Sequence, residues 1–239
     1  MPTTAEPTLG QIQADAEAGD ATAQFILGGM YENGDEVPED IQQALFWYHK
    51  AAAQGLADAQ FNLGVICETG QGVTQDYLQA RDWYEKAAKQ GDAAAQFNLG
   101  LLYADGLGVP QDYAIARHWW EQSAAQGDTD AQANLGVMHA EGQGVPQDFK
   151  QALFWYEKAA AQGDADAQYI LGDMYAEGEG VDQDDVQAYK WFSLAGACGV
   201  EDALLAMEEM EAIMTPAQIK EATRLAEKWK PTPEHKSMV

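Results

Sequence analysis

The residues of this sequence that could do chemistry are mainly glycines and carboxylates in short loops. Gly-rich loops recur along the chain as ENGDE, ETGQG, ADGLG, AEGQG and AEGEG. A glycine loop cradles phosphate when its amides are exposed and a Lys neutralises the charge, but these loops have no Lys or Arg and one to three carboxylates each. They also lack the alternating Asp spacing and the final Glu of a calcium loop. We therefore interpret the glycines as a tight reversal between two helices, where positive φ is required.

The histidines and cysteines do not form a metal-binding or catalytic pattern. None of the four histidines lies three or four residues from another, and no HExxH motif occurs. Cys67 and Cys198 are too few and too far apart in sequence for a disulfide framework or a CxxC knuckle. Cys67 has no neighbouring base or cation, so we expect a buried thiol and not a nucleophile. The sequence predicts no enzyme, with no catalytic residue, no metal and no cofactor.

The charge balance narrows the class of partner. The formal net charge is −26, from 39 acidic and 13 basic residues. Nucleic acid binding depends on Lys and Arg that release counterions, so we expect basic proteins or peptides instead. No run of 18 apolar residues occurs, which predicts no membrane insertion. The first residues, MPTTAEPTLG, do not resemble a signal peptide, so the expectation is a cytoplasmic protein, or a periplasmic or secreted one if a signal was removed.

The elements that must position any site come from one unit copied every 36 residues. A Leu-Gly pair recurs at this period without any insertion. Its leucines are Leu27, Leu63, Leu99, Leu135 and Leu171. The period recurs again in a tryptophan that is always followed by an aromatic residue, at Trp47, Trp83, Trp119, Trp155 and Trp191. Self-similarity at such a period is the signature of a stacked repeat architecture.

Each copy is predicted to form two helices. In the third copy, Ala95, Leu99 and Leu102 form an apolar stripe at helical spacing, and Gly106 can end that first helix. Asp112 can cap the second helix, which runs through Ala, Trp, Tyr and an Ala-Ala pair to a Gln-Gly stop. One such pair cannot bury its apolar face alone. The copies must therefore stack into an all-α, right-handed α/α superhelical solenoid of five to six repeats with terminal capping helices.

The predicted organisation is a single solenoid domain over residues 1–239. An N-terminal capping helix is expected at 8–19, a degenerate repeat with a C-terminal capping helix at 200–230, and a flexible tail at 231–239. Thr215 is the expected cap of the last helix, since it precedes a proline and stands three residues before a glutamine. The five regular repeats are expected at 20–55, 56–91, 92–127, 128–163 and 164–199.

The repeated pattern A-x-A-Q-x-x-L-G-x-x-Y-x-x-G-x-G-V-x-x-D-x-x-x-A-x-x-W-Y-x-x-A-A-x-Q-G resembles the Sel-like repeat family, a longer relative of the tetratricopeptide repeat. The resemblance covers residues 8 to 230. It implies a superhelix whose first helices line a concave surface, and a role as a scaffold or adaptor in protein complexes. Many members of the family are bacterial, and many of those are secreted or periplasmic. Family membership does not name the partner.

The concave surface expected from this resemblance should be acidic. Every Lys and Arg lies in a second helix, at its start, or in the last helix and tail, and none lies in a first helix. Such a surface would attract a cation-rich partner. An alternative is that the carboxylates only cap helices and solvate the surface. The partner-binding residues expected here are Phe25, Phe61, Asn62, Phe97, Asn98, Asn134, Tyr169, Asp58, Asp130, Asp166 and Asp173.

The asparagines among these residues require a reason, because Asn is a poor helix former. By analogy with tetratricopeptide relatives, Asn62, Asn98 and Asn134 stand where an amide can hold a peptide backbone. The Lys and Arg that accompany such an Asn in carboxylate-clamping relatives are absent, which argues against acidic C-termini as ligands. The alternative interpretation is structural, with each Asn bonded to a neighbouring helix.

The function predicted from the sequence is a protein interaction scaffold that binds a basic or extended peptide segment in an acidic, Asn-lined groove. Two alternatives remain open. One is a secreted or periplasmic protein that binds a ligand such as a cell-wall fragment, as suggested for some relatives. The other is an acidic mimic of nucleic acid, against which the cations of the second helices argue. The oligomeric state stays open.

Overall fold

The computed structural model describes residues 7–232, and within them all regular structure is helical. Thirteen helices are described, each of 10 to 14 residues. Their bounds are α1 Leu9–Ala18, α2 Ala21–Asn33, α3 Ile41–Ala53, α4 Ala57–Thr69, α5 Tyr77–Ala88, α6 Ala93–Asp105, α7 Tyr113–Ala125, α8 Thr129–Glu141, α9 Phe149–Gln162, α10 Ala165–Glu177, α11 Asp185–Ala197, α12 Glu201–Glu211 and α13 Pro216–Lys228.

The chain divides into two compact units between Trp119 and Trp120, inside α7. In the first unit, α2 packs on α3 and α4 on α5, while α3 and α5 also pack on the first helix of the next repeat. In the second unit, α8 packs on α9 and α10 packs on α11. There too each second helix packs on the first helix that follows it, α9 on α10 and α11 on α12. The 36-residue helix pairs are those of an all-α solenoid, as predicted.

The turns within each repeat use the residues that the sequence predicts. Gly106 ends α6 in the left-handed conformation with φ of +69°, and its N–H donates to the carbonyl of Leu102. The Asp112 carboxylate accepts hydrogen bonds of 2.9 and 3.0 Å from the amides of Ala114 and Ile115, in the first turn of α7. The prediction that these residues form a hinge and a cap is confirmed. The same aspartate cap recurs at Asp40, Asp76, Asp148 and Asp184.

In four repeats an aromatic ring of the core is seated on a glycine of the partner helix, at Gly28, Gly64, Gly136 and Gly172. A Cβ at Gly64 would lie 2.5 Å from the ring of Tyr84, which is fully buried. Leu63, beside that glycine, is also fully buried. Burying a side chain of this size contributes about 1.5–3 kcal/mol, so the Leu-Gly pair and the aromatic residue act as one packing unit.

A buried glutamine ties each repeat to the one before it. The amide of Gln60 donates to the backbone carbonyl of Ala52, at the end of α3, over 3.2 Å. Its oxygen accepts a 2.8 Å hydrogen bond from Gln90, at the end of α5. Both groups of a buried amide are thereby satisfied, as burial demands. The glutamines at this position are Gln24, Gln60, Gln96, Gln132 and Gln168, each no more than 6% exposed.

The two ends have their own capping elements. Thr8 caps α1, and Gly19 ends it. At the other end, Thr215 and Gln218 form the predicted capping box of α13. Of the predicted tail at 231–239, residues 233–239 lie outside the described residues. Thr232, which is described, donates a 2.7 Å hydrogen bond to the carbonyl of Ala161 at the end of α9.

None of the helices described for residues 7–232 has the length and apolar character that a membrane span requires.

Candidate functional site

The candidate site is, within each unit, the face formed by the exposed and half-buried side chains of the first helices, which we call the first-helix face. In the first unit it belongs to α2, α4 and α6, and it carries a half-buried phenylalanine from each: Phe25, Phe61 and Phe97. The ring of Phe25 lies 5.7 Å from that of Tyr48, and the ring of Phe61 lies 5.8 Å from that of Tyr84. The rings of Phe25 and Phe61 thus each pack against a tyrosine ring and remain half-buried.

The asparagines of the first unit stand beside tyrosine hydroxyls of the preceding repeat. The hydroxyl of Tyr84 donates a 2.5 Å hydrogen bond to Glu68, and the side chain of Asn98 lies beside the same hydroxyl. Burial first, and then Glu68, raise the pKa of Tyr84 well above its usual range, while Asn98 opposes this shift. Because Asn98 is half-buried, this residue lies beside the packed tyrosine and remains partly accessible at the surface.

The same chain of three groups occurs one repeat earlier. Tyr48 donates a 2.6 Å hydrogen bond to Glu32, and the side chain of Asn62 acts on the Tyr48 hydroxyl. Burial raises the pKa of Tyr48, with Glu32 adding to the shift and Asn62 opposing it. Asn62 and Asn98 are both half-buried. The two repeats thus orient their asparagines by the same contacts.

In the second unit the first-helix face belongs to α8 and α10. Asn134 is half-buried on α8, and the aromatic residue at the place of Tyr84 is here Trp120, which has no hydroxyl. Tyr169 takes the phenylalanine place on α10, with its ring 5.6 Å from that of Phe192. The pKa of Tyr169 is raised by burial and by several carboxylates, of which Asp173 is the foremost.

The carboxylates predicted to line the face are all exposed: Asp58, Asp130, Asp166 and Asp173. Burial is the largest cause that raises the pKa of Asp173, and the like charges of Glu177, Glu179 and Asp202 add to it. In the first unit, Asp92, which caps α6, also has a raised pKa, because of its burial and then because of the charge of Asp58. Carboxylates that lie this close to other carboxylates repel one another, and a bound cation would reduce that repulsion.

The cations of the second helices are placed on aromatic rings. The Nζ of Lys50 lies 4.4 Å from the ring centre of Phe46 and 4.6 Å from that of Trp47. In the second unit, Lys158 lies 4.6 and 5.0 Å from the rings of Phe154 and Trp155. Such contacts hold positive charge on the second helices. Four lysines, Lys50, Lys86, Lys158 and Lys190, are therefore packed on rings of their own second helices.

Sequence reasoning did not find the Tyr–Glu–Asn contacts or the glutamine pairs. Both leave a periodic signal, since Glu32 and Glu68 precede their tyrosines by 16 residues and Gln90 follows Gln60 by 30. The signal is readable only when the stacking of one repeat on the next is known. In residues 7–232 no group of three or more metal-ligating side chains is brought together.

With this geometry in place, comparison with known proteins identifies the class. The Sel1 repeat family model matches residues 21–56, 57–92, 93–128, 129–164 and 165–200, and the chain belongs to this family. Each matched unit starts one residue after the repeat predicted from the sequence. No curated protein sequence gives a significant match.

Solved structures of the same family resemble the chain over most of its length. A Sel1 repeat protein from Oxalobacter formigenes is 35% identical, with a TM-score of 0.74 over 89% of this chain and 86% of that one. The protein c5321, a protective antigen of uropathogenic Escherichia coli with an SLR fold, is 32% identical, with a TM-score of 0.58, and the match covers 92% of this chain and 55% of c5321. A Sel1 repeat protein from Klebsiella pneumoniae is 27% identical, with a TM-score of 0.51 over 84% of this chain and 98% of that one.

Sel1 repeat proteins generally mediate protein–protein interaction and are typically non-enzymatic scaffolds. The interaction class of this chain follows from its family membership.

Proposed function

We propose that the chain is a non-catalytic interaction scaffold whose first-helix face binds an extended, basic segment of a partner protein. The observation that supports this most is the charge distribution. None of the first helices contains Lys or Arg, while Asp58, Asp130, Asp166 and Asp173 are exposed on them. A segment rich in Lys or Arg would meet exposed carboxylates on the first helices of either unit, and the field would speed its capture.

In the first unit, affinity would come from apolar rings and side-chain amides of the first helices. The half-buried rings of Phe25, Phe61 and Phe97 offer apolar contact to alternate side chains of an extended segment. The side-chain carbonyl oxygens of Asn62 and Asn98, two half-buried residues of the same helices, would accept backbone N–H groups. Recognition of backbone and charge together favours an unstructured basic segment over a folded surface.

A pair of charge-reversed variants tests the proposal. Asp58→Lys changes an exposed carboxylate of a first helix, and Asp82→Lys makes the same change on the second helix α5 of the same unit. Fluorescence anisotropy would follow a labelled, extended Lys/Arg-rich peptide and its Glu-substituted counterpart. We expect binding of the basic peptide to weaken about tenfold in Asp58→Lys and to weaken much less in Asp82→Lys.

The dependence on salt gives a second readout. Binding of the basic peptide should weaken as ionic strength rises, since exposed charges are screened beyond about 10 Å at 0.1 M salt. Equal effects of the two substitutions would mean that net charge alone attracts the peptide, and the assignment to the first-helix face would then be wrong. Equal binding of the Glu-substituted peptide would reject the choice of a basic partner.

A further inference from the structure

The helix α12 occupies the place of a first helix that has no second helix of its own. It begins at Glu201, 36 residues after α10 begins at Ala165, and it packs against α11 as earlier first helices pack against the preceding second helix. In the repeats of both units the following helix then packs on its own first helix. Here the following helix, α13, packs mainly against α11. One side of α12 therefore lacks the helix that covers it in a regular repeat.

The uncovered side of α12 is apolar at two positions. Leu204 is 49% exposed and Leu205 is 58% exposed, although both lie in the body of the helix. Leu204 stands at the place of Gln168, which is 1% exposed in the preceding repeat. One end of Leu204 rests on α11, since its Cδ2 would lie 2.7 Å from a Cβ at Gly196. The remaining surface of both leucines is free for a further helix.

The centre of this side carries a charge in place of a glycine. Glu208 stands 36 residues after Gly172, and a Cβ at that glycine would lie 2.4 Å from the ring of Phe192 in the covering helix. A carboxylate in that place excludes an aromatic ring and favours a cation. Exposed carboxylates of Glu201, Asp202 and Glu209 lie on the same helix, and α12 contains no Lys or Arg.

We propose that α12 binds an amphipathic helix of a partner protein that presents an apolar stripe to Leu204 and Leu205 and a Lys or Arg to Glu208. The helix would take the place that the second helix of a sixth repeat would occupy. Burial of two leucine side chains supplies apolar contact, and the carboxylates select basic flanks. This surface adjoins the first-helix face of α10, since Leu205 and Asp202 stand 36 residues after Tyr169 and Asp166. The proposal rests on the missing covering helix and does not require that an extended segment binds the repeats.

A second copy of this chain fits the uncovered side poorly. The helix most like a free second helix is α1, which carries Asp15 and Glu17 and contains no Lys or Arg. It would bring like charges against Glu208 and Glu209. The charge of α12 thus points to a partner of opposite sign.

Binding of designed helices to the full chain tests the proposal. The probe is a fluorescent peptide of about 18 residues, constrained as a helix, with leucines on one face and arginines beside them. Two comparison peptides are used. One has Glu in place of each Arg, and the other has the same composition in a scrambled order that forms no apolar face. The variants are Leu205→Asp and Glu208→Lys, and the matched control is Leu78→Asp, since Leu78 is a 51% exposed leucine on α5.

We expect the Kd of the arginine peptide, read from anisotropy, to rise about tenfold or more in Leu205→Asp and Glu208→Lys and to stay unchanged in Leu78→Asp. The Glu208→Lys protein should instead gain affinity for the peptide with Glu in place of Arg. Circular dichroism melting would show that all variants fold, since the changed residues are exposed. Wild-type affinity in both α12 variants overturns the proposal. So does a dimer of the wild type, seen by sedimentation and lost in Leu205→Asp, because the occupant would then be a second copy.

Discussion

The side-chain amide of Gln90 donates a 2.8 Å hydrogen bond to the side-chain oxygen of Gln60, thirty residues earlier in the sequence. The equivalent pairs are Gln54 with Gln24 at 2.8 Å and Gln162 with Gln132 at 2.9 Å. In the fifth repeat the donor position is Cys198, and the buried oxygen of Gln168 has no partner among the described residues. The backbone there is unchanged, since Gln54 and Cys198 have φ of −85° and −87°.

Cys198→Gln should therefore stabilise the protein. The new amide would reach Gln168 in the geometry of the other repeats, and satisfying a buried carbonyl contributes about 1 kcal/mol. Chemical denaturation should show a higher midpoint for Cys198→Gln than for the wild type. Cys198→Ala serves as the control because it removes the thiol without adding a donor. If both substitutions shift the midpoint equally, the gain does not come from the hydrogen bond.

Gly64→Ala should be strongly destabilising. The added Cβ would lie 2.5 Å from the Tyr84 ring, so α4 and α5 must move apart or the ring must leave its place. We expect a loss of about 2–3 kcal/mol in the free energy of unfolding. Gly10→Ala is the matched control, since Gly10 lies in α1 with nothing within 4 Å of its added Cβ. That change should stabilise by up to about 1 kcal/mol through helix propensity. Similar losses at the two positions would contradict the packing argument.

Much of this fold could be predicted because each local rule repeats five times. Gly106 as a helix end and Asp112 as a cap follow from residue type and position alone, and both were predictable. The contacts of Asn98 were not, because they depend on Tyr84 in the preceding repeat, whose position is fixed only when α5 packs against α6. The uncovered side of α12 could not be predicted for a related reason. Residues after Thr215 read as a capping helix, but the sequence does not tell which helix it covers.

The buried tyrosines should make the protein sensitive to alkali. Burial first, and then the charge of Glu141, raise the pKa of Tyr156 from its ordinary value of 10.0 to about 12 in the folded state. Between these values the unfolded chain loses its proton first, so this contribution is complete below pH 10 and is lost as the pH rises to 12. The two-unit difference corresponds to about 2–3 kcal/mol.

Denaturation of the wild type and Tyr156→Phe at several pH values checks this expectation. Above pH 10 the free energy of unfolding should fall less steeply with pH in Tyr156→Phe than in the wild type. The difference in slope should correspond to about one proton released on unfolding. Tyr189, whose pKa is also raised to about 12 by burial and by its hydrogen bond to Glu211, should give the same change when replaced by Phe. Parallel curves for the wild type and both variants would show that these hydroxyls titrate alike in the folded and unfolded states.

Asn98 has two roles under the proposed function, and a double-mutant cycle separates them. Its amide acts on the hydroxyl of Tyr84, so Asn98→Ala and Tyr84→Phe should be coupled in stability by about 0.5–1 kcal/mol. The carbonyl oxygen, by contrast, is the acceptor proposed for a bound backbone. The affinity for the basic extended peptide should therefore fall in Asn98→Ala and stay near that of the wild type in Tyr84→Phe. If Asn98→Ala loses stability but keeps its peptide affinity, Asn98 is a structural residue and does not belong to the binding face. If both variants lose affinity, the tyrosine positions the asparagine for binding.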